Sequence, residues 1–169
     1  TMINVSVLGY GTVGSGVFDI IRENNAMIAK RIGDEICTKY VLDLREFPGD
    51  PVMDVLTHDF EDIIKDDEVK IVAEVMGGLH PAYEFTKRCL EAGKSVCTSN
   101  KELVAEHGAE LIQIAKDHQV NYLFEASVGG GIPIIRPLNS SLTADVIVEI
   151  SGILNGTTNY MLTKMSREG

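Results

Sequence analysis

The first residues with the types and spacing for chemistry are three glycines, Gly9, Gly11 and Gly14, in the segment GYGTVG. Such a loop can admit a pyrophosphate. Gly9 permits a tight turn, Gly11 lets the backbone approach the anion, and Gly14 lets a following helix pack close to the preceding strand. The free N–H groups and positive dipole end of that helix then meet the negative charge. The flanks give the motif its weight. Ile3 to Leu8 is an apolar, β-branched run that reads as a buried strand, and Val13, Val17, Ile20 or Ile21 and Ile28 recur at helical spacing. A strand, a turn and one long helix are predicted, with a dinucleotide as the ligand class.

Other residues offer chemistry on weaker local signals. Lys101 follows a strand-like segment and starts a helix, so it is either a donor to substrate or cofactor or a solvated first-turn lysine. Glu125 precedes SVGGG, where an ionised carboxylate needs backbone N–H groups or a cation as partners. One carboxylate with several carbonyl oxygens would suit a hard monovalent cation. Glu74 reads as a structural carboxylate near a strand end. Cys37, Cys89 and Cys97 lack metal-ligand spacing and read as small core residues. Cys97 ends a strand, which leaves open an aldehyde dehydrogenase that uses it as nucleophile. The four histidines form no HxxxH pair and are expected to cap or flank helices, and no serine sits in a GxSxG elbow.

The elements that must position these residues alternate. After the first helix, Ile36 to Asp43 reads as a strand broken by REFPGDP. Thr57 or Asp59 can cap a helix through Lys65, and Val69 to Val75 is the next strand. Pro81 suits a first helical turn, Ala82, Phe85 and Cys89 form a stripe, and Gly93 is a stop. Ser95 to Thr98 is a strand, Asn100 can cap a helix to about His118, and Val120 to Phe124 is another strand. Short connections between alternating strands and helices imply an α/β fold, a Rossmann-type doubly wound and mostly parallel sheet with helices on both faces. GYGTVG, VMGG, CTSNK and EASVGGG would all lie at its carboxyl edge. From about Ile132 the pattern changes, with Pro133, Ile134, Ile135, Pro137 and Leu138 at a helix start and Asp145 to Ile150 as a strand.

The 169 residues carry a formal charge of −10, and this acidic balance argues against a nucleic-acid partner, which needs a basic face. No apolar run approaches the roughly 18 residues of a membrane span. The first strand has no basic leader and is soon interrupted by Gly9, so a cytoplasmic protein without a membrane partner is expected.

The segments EVMGGLHPA, GKSVCTSNKELVAEHG, FEASVGGGIPIIRPL and GILNGTTNYMLTKM closely resemble homoserine dehydrogenases, in the expected order and over Ile3 to about Gly169. The resemblance implies reversible interconversion of L-homoserine and L-aspartate 4-semialdehyde with NADP or NAD, on the route to threonine, methionine and isoleucine. It implies a cofactor site of Gly9, Tyr10, Gly11, Thr12, Val13, Gly14, Asp43, Met76, Gly77, Thr98 and Ser99, with Lys101 beside both nicotinamide and substrate as a catalytic residue. It also implies a sodium ion at Glu125, Val128, Gly130 and Ile132, and a homo-oligomer for the full-length enzyme. Residues 1–131 would be the dinucleotide-binding domain and 132–169 the beginning of an α+β substrate domain, which Asn155, Gly156 and Thr157 help to enter.

Two features depart from the family pattern. Many relatives read Val-Arg-Asp where this sequence has Val41-Leu42-Asp43, so the arginine that could face a 2′-phosphate is absent at Leu42, although Arg45 is near. The family also continues for hundreds of residues, so this chain looks like an amino-terminal fragment that is inactive alone. The competing expectation is a stand-alone, non-catalytic dinucleotide-binding or redox-sensing module.

Overall fold

The computed structural model describes residues 2–153 and 155–168, so Thr1, Leu154 and Gly169 lie outside the described residues. Its centre is a six-stranded, wholly parallel sheet. The strands are β1 (Met2–Leu8), β2 (Glu35–Leu42), β3 (Leu56–Thr57), β4 (Val69–Glu74), β5 (Ser95–Thr98) and β6 (Tyr122–Leu123), in the order β3-β2-β1-β4-β5-β6. The chain builds outward from β1 through β2 to β3, then returns to place β4 on the other side of β1. The direction of winding therefore reverses between β1 and β4, and their carboxyl ends open a crevice.

Alternation along the strands makes two cores. Val7, Val41 and Ala73 stand in register and join Phe18 of α1 (Thr12–Glu23) on one face. Leu8, Leu42, Val72 and Val96 turn to the other face. They meet α3 (Phe60–Ile64), α4 (Ala82–Glu91) and α5 (Lys101–Asp117) through Phe60, Ile63, Leu90, Leu103 and Leu111. Fully burying one such aliphatic side chain stabilises the fold by about 1.5–3 kcal/mol.

Several expected elements form as read. Asn100 caps α5 by accepting from Leu103 N at 3.1 Å, and Asp59 caps α3 by accepting from Glu61 N at 2.8 Å. Gly93, at φ 75°, follows α4. Thr57, the alternative cap, instead pairs with Leu42 in the two-residue β3, which brings the crossover from β2 back along the sheet edge.

The structure corrects other expectations. The first helix is two: α1 stops at Glu23, and α2 (Asn25–Ile32) starts after Asn24 while the Asn25 amide donates to Ile36 O, which turns the chain toward β2. The buried stripe of α1 is Gly14, Phe18 and Ile21, whereas Val13 and Ile20 are exposed. Only Tyr122 and Leu123 of the run to Phe124 pair with β5. His107 lies inside α5 rather than at an end. Residues 145–150 form no strand, because no neighbouring strand among the described residues offers them a ladder, and Val146 and Val148 are exposed. Around them lie three further helices, α6 (Glu125–Gly129), α7 (Ile135–Ser141) and α8 (Gly156–Glu168).

Candidate dinucleotide site

The turn after β1 requires each of its outer glycines. Gly9 sits at φ 98°, its N–H donates to Leu42 O at 2.8 Å, and a Cβ there would lie 3.0 Å from Met76 Cα. A Cβ on Gly14 would lie 1.9 Å from Gly9 O, so only glycine lets α1 approach the turn this closely. Gly11 differs. A Cβ there meets nothing within 4 Å, so it faces open space before the helix. Gly11 is also the N-cap of α1, where no side chain caps the helix and the first turn holds no acidic residue. The leading amides of α1 thus lack a side-chain cap, and the Gly11 position ahead of them is open, which fits a pyrophosphate.

Tyr10 contributes its main chain rather than its ring. The buried ring packs edge-on against Phe47 and Phe18, and its hydroxyl donates to Asp50 Oδ1 at 3.1 Å. Burial, reinforced by the Asp50 hydrogen bond, pushes the phenol up to about 12. Tyr10 N–H donates to Asp43 Oδ2 at 2.8 Å, which ties the loop after β1 to the end of β2.

Asp43 accepts three further hydrogen bonds, from Arg45 N, Nε and Nη2, each at 2.9 Å. The Arg45 guanidinium above all holds its carboxyl well below the usual carboxylate range. His58 Nδ1 lies 2.6 Å from Asp43 O. Beside them a cavity of about 470 Å³ extends from Gly9 and Gly11 to Met76 and the Phe85 ring. Phe85 stacks on Phe60 with centroids 4.0 Å apart. The walls are mainly apolar, with Asp43, Arg45 and His58 among the lining residues, as a purine and ribose would need.

The loops after β4 and β5 are joined from beneath. Glu74 and Thr98 are the last residues of their strands and stand opposite each other. Thr98 Oγ1 donates to Glu74 Oε2 at 2.6 Å and accepts from Asn100 N at 2.9 Å, so its hydroxyl is committed within the protein. Glu74 Oε1 accepts from Met76 N at 2.9 Å, and Asn100 Nδ2 donates to Gly78 O at 2.6 Å. Gly77 and Gly78 both take positive φ, and Ser99 N–H donates to Glu74 O at 3.3 Å. Lys101 follows in the first turn of α5, exposed, and its ammonium makes no hydrogen bond or ion pair among the described residues.

Glu125 lies one loop further along the edge. Its carboxylate accepts from the amides of Ile134, of Ile135 at 2.9 Å and of Arg136 at 2.7 Å, clasping the start of α7. These amides, Ile134 first, hold its pKa below the ordinary value. The backbone partners anticipated for this carboxylate are therefore present. Val128 lies in α6, and Gly130 and Ile132 in the turn that follows it, all three exposed. Among the described residues no group of three or more His, Cys, Asp or Glu side chains could hold a metal.

Cys89 is fully buried, and burial raises both its thiol, to about 12, and that of Cys97. A raised thiol is the opposite of an activated nucleophile, so the surroundings of Cys97 lend no support to an aldehyde dehydrogenase acting through it. Sequence reasoning missed the part of His58 and Phe60 in the cavity, for which no local signal existed. The Glu74–Thr98 bond had one, since both residues end adjacent strands.

Comparison with known families decides the kinship. The family model for the NAD binding domain of homoserine dehydrogenase matches residues 9–125, and the homoserine dehydrogenase model matches 133–169. The chain belongs to the homoserine dehydrogenase family. It is 42% identical to the homoserine dehydrogenase of Lactococcus lactis, covering 98% of this chain and 40% of that one. The Bacillus subtilis enzyme is 43% identical, with 98% and 39% covered. The chain thus spans about 40% of the length of these relatives. Among solved structures, the homoserine dehydrogenase of Thiobacillus denitrificans superposes with a TM-score of 0.88 at 38% identity, over 100% of this chain and 40% of that one. A hyperthermophilic archaeal homoserine dehydrogenase mutant in complex with NADPH superposes with a TM-score of 0.83 at 27% identity, over 100% and 58%. Family membership agrees with the Rossmann-type sheet. Among the described residues, no helix is long and apolar enough to cross a membrane.

Proposed function

We propose that this chain is the dinucleotide-binding part, with the start of the substrate domain, of an enzyme that reversibly interconverts L-homoserine and L-aspartate 4-semialdehyde with NAD(P). The observation that carries the reading is the uncapped amino end of α1, open at Gly11, at the point where the sheet reverses direction between β1 and β4. The bound nicotinamide would accept or return a hydride. Gly9, Gly11, Gly14 and the amides of Thr12 and Val13 hold the pyrophosphate, while Tyr10 N–H orients Asp43 toward the ribose. Met76, Gly77, Thr98 and Ser99 border the nicotinamide end, with Thr98 acting through its bond to Glu74. Lys101, unpaired at the start of α5, donates from its ammonium to the substrate oxygen and stabilises charge developing there.

The domains divide at 131/132, a reading supported by the change from buried strands and helices to exposed residues beyond it. A sodium ion belongs at Glu125, Val128, Gly130 and Ile132. Glu125 supplies the negative charge there, but its Oε1 accepts two amides and its Oε2 one, so the carbonyl oxygens would supply most of the donors. The whole enzyme acts in the cytoplasm as a homo-oligomer in threonine, methionine and isoleucine biosynthesis, with no nucleic-acid partner. A non-catalytic module has less support, because the homoserine dehydrogenase likeness continues through 133–169, past the dinucleotide-binding part. The test is homoserine-dependent reduction of NAD or NADP by the full-length protein. Absence of turnover with both, under conditions where either dinucleotide binds, would contradict the assignment.

A further inference from the structure

At the end of β2 the crevice pairs an anion and a cation that differ in exposure, Asp43 and Arg45. Asp43 is the first residue past β2, and its carboxylate is fixed by two main-chain donors from separate segments, Tyr10 N at 2.8 Å on Oδ2 and Arg45 N at 2.9 Å on Oδ1. Neither donor can swing away without dismantling the glycine turn or the bend after β2. The Arg45 guanidinium supplies the other two bonds, Nε to Oδ1 and Nη2 to Oδ2 at 2.9 Å each, and Nη2 also reaches Tyr10 O at 3.0 Å. Four donors on two oxygens fill the carboxylate. The anion side chain is 10% exposed and its cation partner 62%, so Arg45 is the member that solvent can release.

We propose that Asp43 and Arg45 form a dinucleotide selector that favours NAD(H) over NADP(H), an inference that rests on the crevice being a dinucleotide site. When the guanidinium leaves, Asp43 presents one open acceptor direction on each oxygen, which matches the paired hydroxyls of an unmodified ribose. A 2′-phosphate at the same place would set a dianion against a carboxylate that its main-chain donors keep in position. Arg45 would be the single full cation available to offset it. The residues beside Asp43 are Leu42 and Leu44, which bring no charge, and His58, the other basic side chain among the residues lining this cavity, is engaged with Asp43 O. The selector therefore carries no net positive charge, whereas a phosphate subsite calls for an excess of it. In the free protein the guanidinium occupies the acceptors that the diol needs, so Arg45 also acts as a latch that cofactor binding displaces.

The test is equilibrium titration of the full-length protein with NADH and with NADPH, followed by nicotinamide fluorescence, for the wild type, Asp43→Asn and Arg45→Gln. The wild type should bind NADH roughly tenfold or more tighter than NADPH, the scale of a charge-assisted pair of hydrogen bonds. Asp43→Asn should weaken NADH about tenfold and leave NADPH unchanged or tighter. Arg45→Gln should hold or improve NADH affinity and weaken NADPH. A wild type that binds NADPH as tightly as NADH, or tighter, overturns the selector. So does an Asp43→Asn protein with wild-type thermal unfolding that loses both ligands equally. Failure of the wild type to bind either dinucleotide overturns the dinucleotide reading itself.

Discussion

Glu74 accepts the Thr98 hydroxyl at 2.6 Å across the carboxyl ends of β4 and β5, and neither side chain is open to solvent. Through Met76 N on one side and Asn100 N on the other, this bond joins the loops after β4 and β5, which the proposed function sets at the nicotinamide end of the crevice. Glu74→Ala removes the acceptor for two donors, the buried Thr98 hydroxyl and Met76 N–H. Each buried donor left unpaired costs about 1–3 kcal/mol. Urea unfolding of the full-length protein should show a loss on the order of 2–6 kcal/mol, and dinucleotide affinity should fall with it. Stability within experimental error of the wild type would mean that the loops are held by other contacts.

Lys101→Met should lower turnover or homoserine affinity sharply while thermal unfolding and dinucleotide binding hold. The ammonium is exposed and makes no hydrogen bond or ion pair among the described residues, so its removal breaks none of their interactions. A preorganised donor to a developing oxyanion is worth on the order of 3 kcal/mol, roughly a hundredfold in rate. Steady-state kinetics of the full-length enzyme decide this. Near-normal kcat and KM would make Lys101 a solvated lysine.

What was readable in the sequence is what the chain states locally. Asn100 and Asp59 are capping residues whose side-chain oxygens meet their own helices two or three residues on, so α5 and α3 were placed from neighbours in sequence alone. The glycine turn was readable because no other residue fits Gly9 or Gly14. The apolar stripe of α1 left Ile20 or Ile21 open and included Val13; the structure buries Ile21 with Phe18 and Gly14, because glycine at 14 seats the helix against the turn, and leaves Val13 and Ile20 exposed. β3 was missed because two residues carry no periodicity, and they count as a strand only through pairing with Val41 and Leu42. The Asp43–Arg45 pair was seen as nearness; its bidentate geometry depends on the bend after β2.

Glu125 makes a pH-dependent contribution whose sign is fixed by its partners. The Ile134, Arg136 and Ile135 amides lower its pKa below the unfolded value, so its stabilisation is fully present above about pH 4.3. That stabilisation is lost as the pH falls through the lower folded value. In Glu125→Gln this component disappears. The difference in unfolding free energy between wild type and variant should be level from neutral pH down to about 5 and then shrink in acid. A difference that grows in acid would contradict the clasp on α7.

The most direct test of the dinucleotide site compares two glycines that sit three residues apart but face different surroundings. Gly14→Val would drive a side chain into Gly9 O and should lower thermal stability severely, whereas Gly11→Val points into open space at the amino end of α1. The deciding measurement is calorimetric titration of NADH and NADPH into the full-length wild type and its Gly11→Val variant, with thermal unfolding recorded for both. Wild type should bind at least one dinucleotide saturably, and Gly11→Val should unfold at a similar temperature yet bind neither. Unchanged affinity in a folded Gly11→Val protein would show that the glycine loop is only a turn.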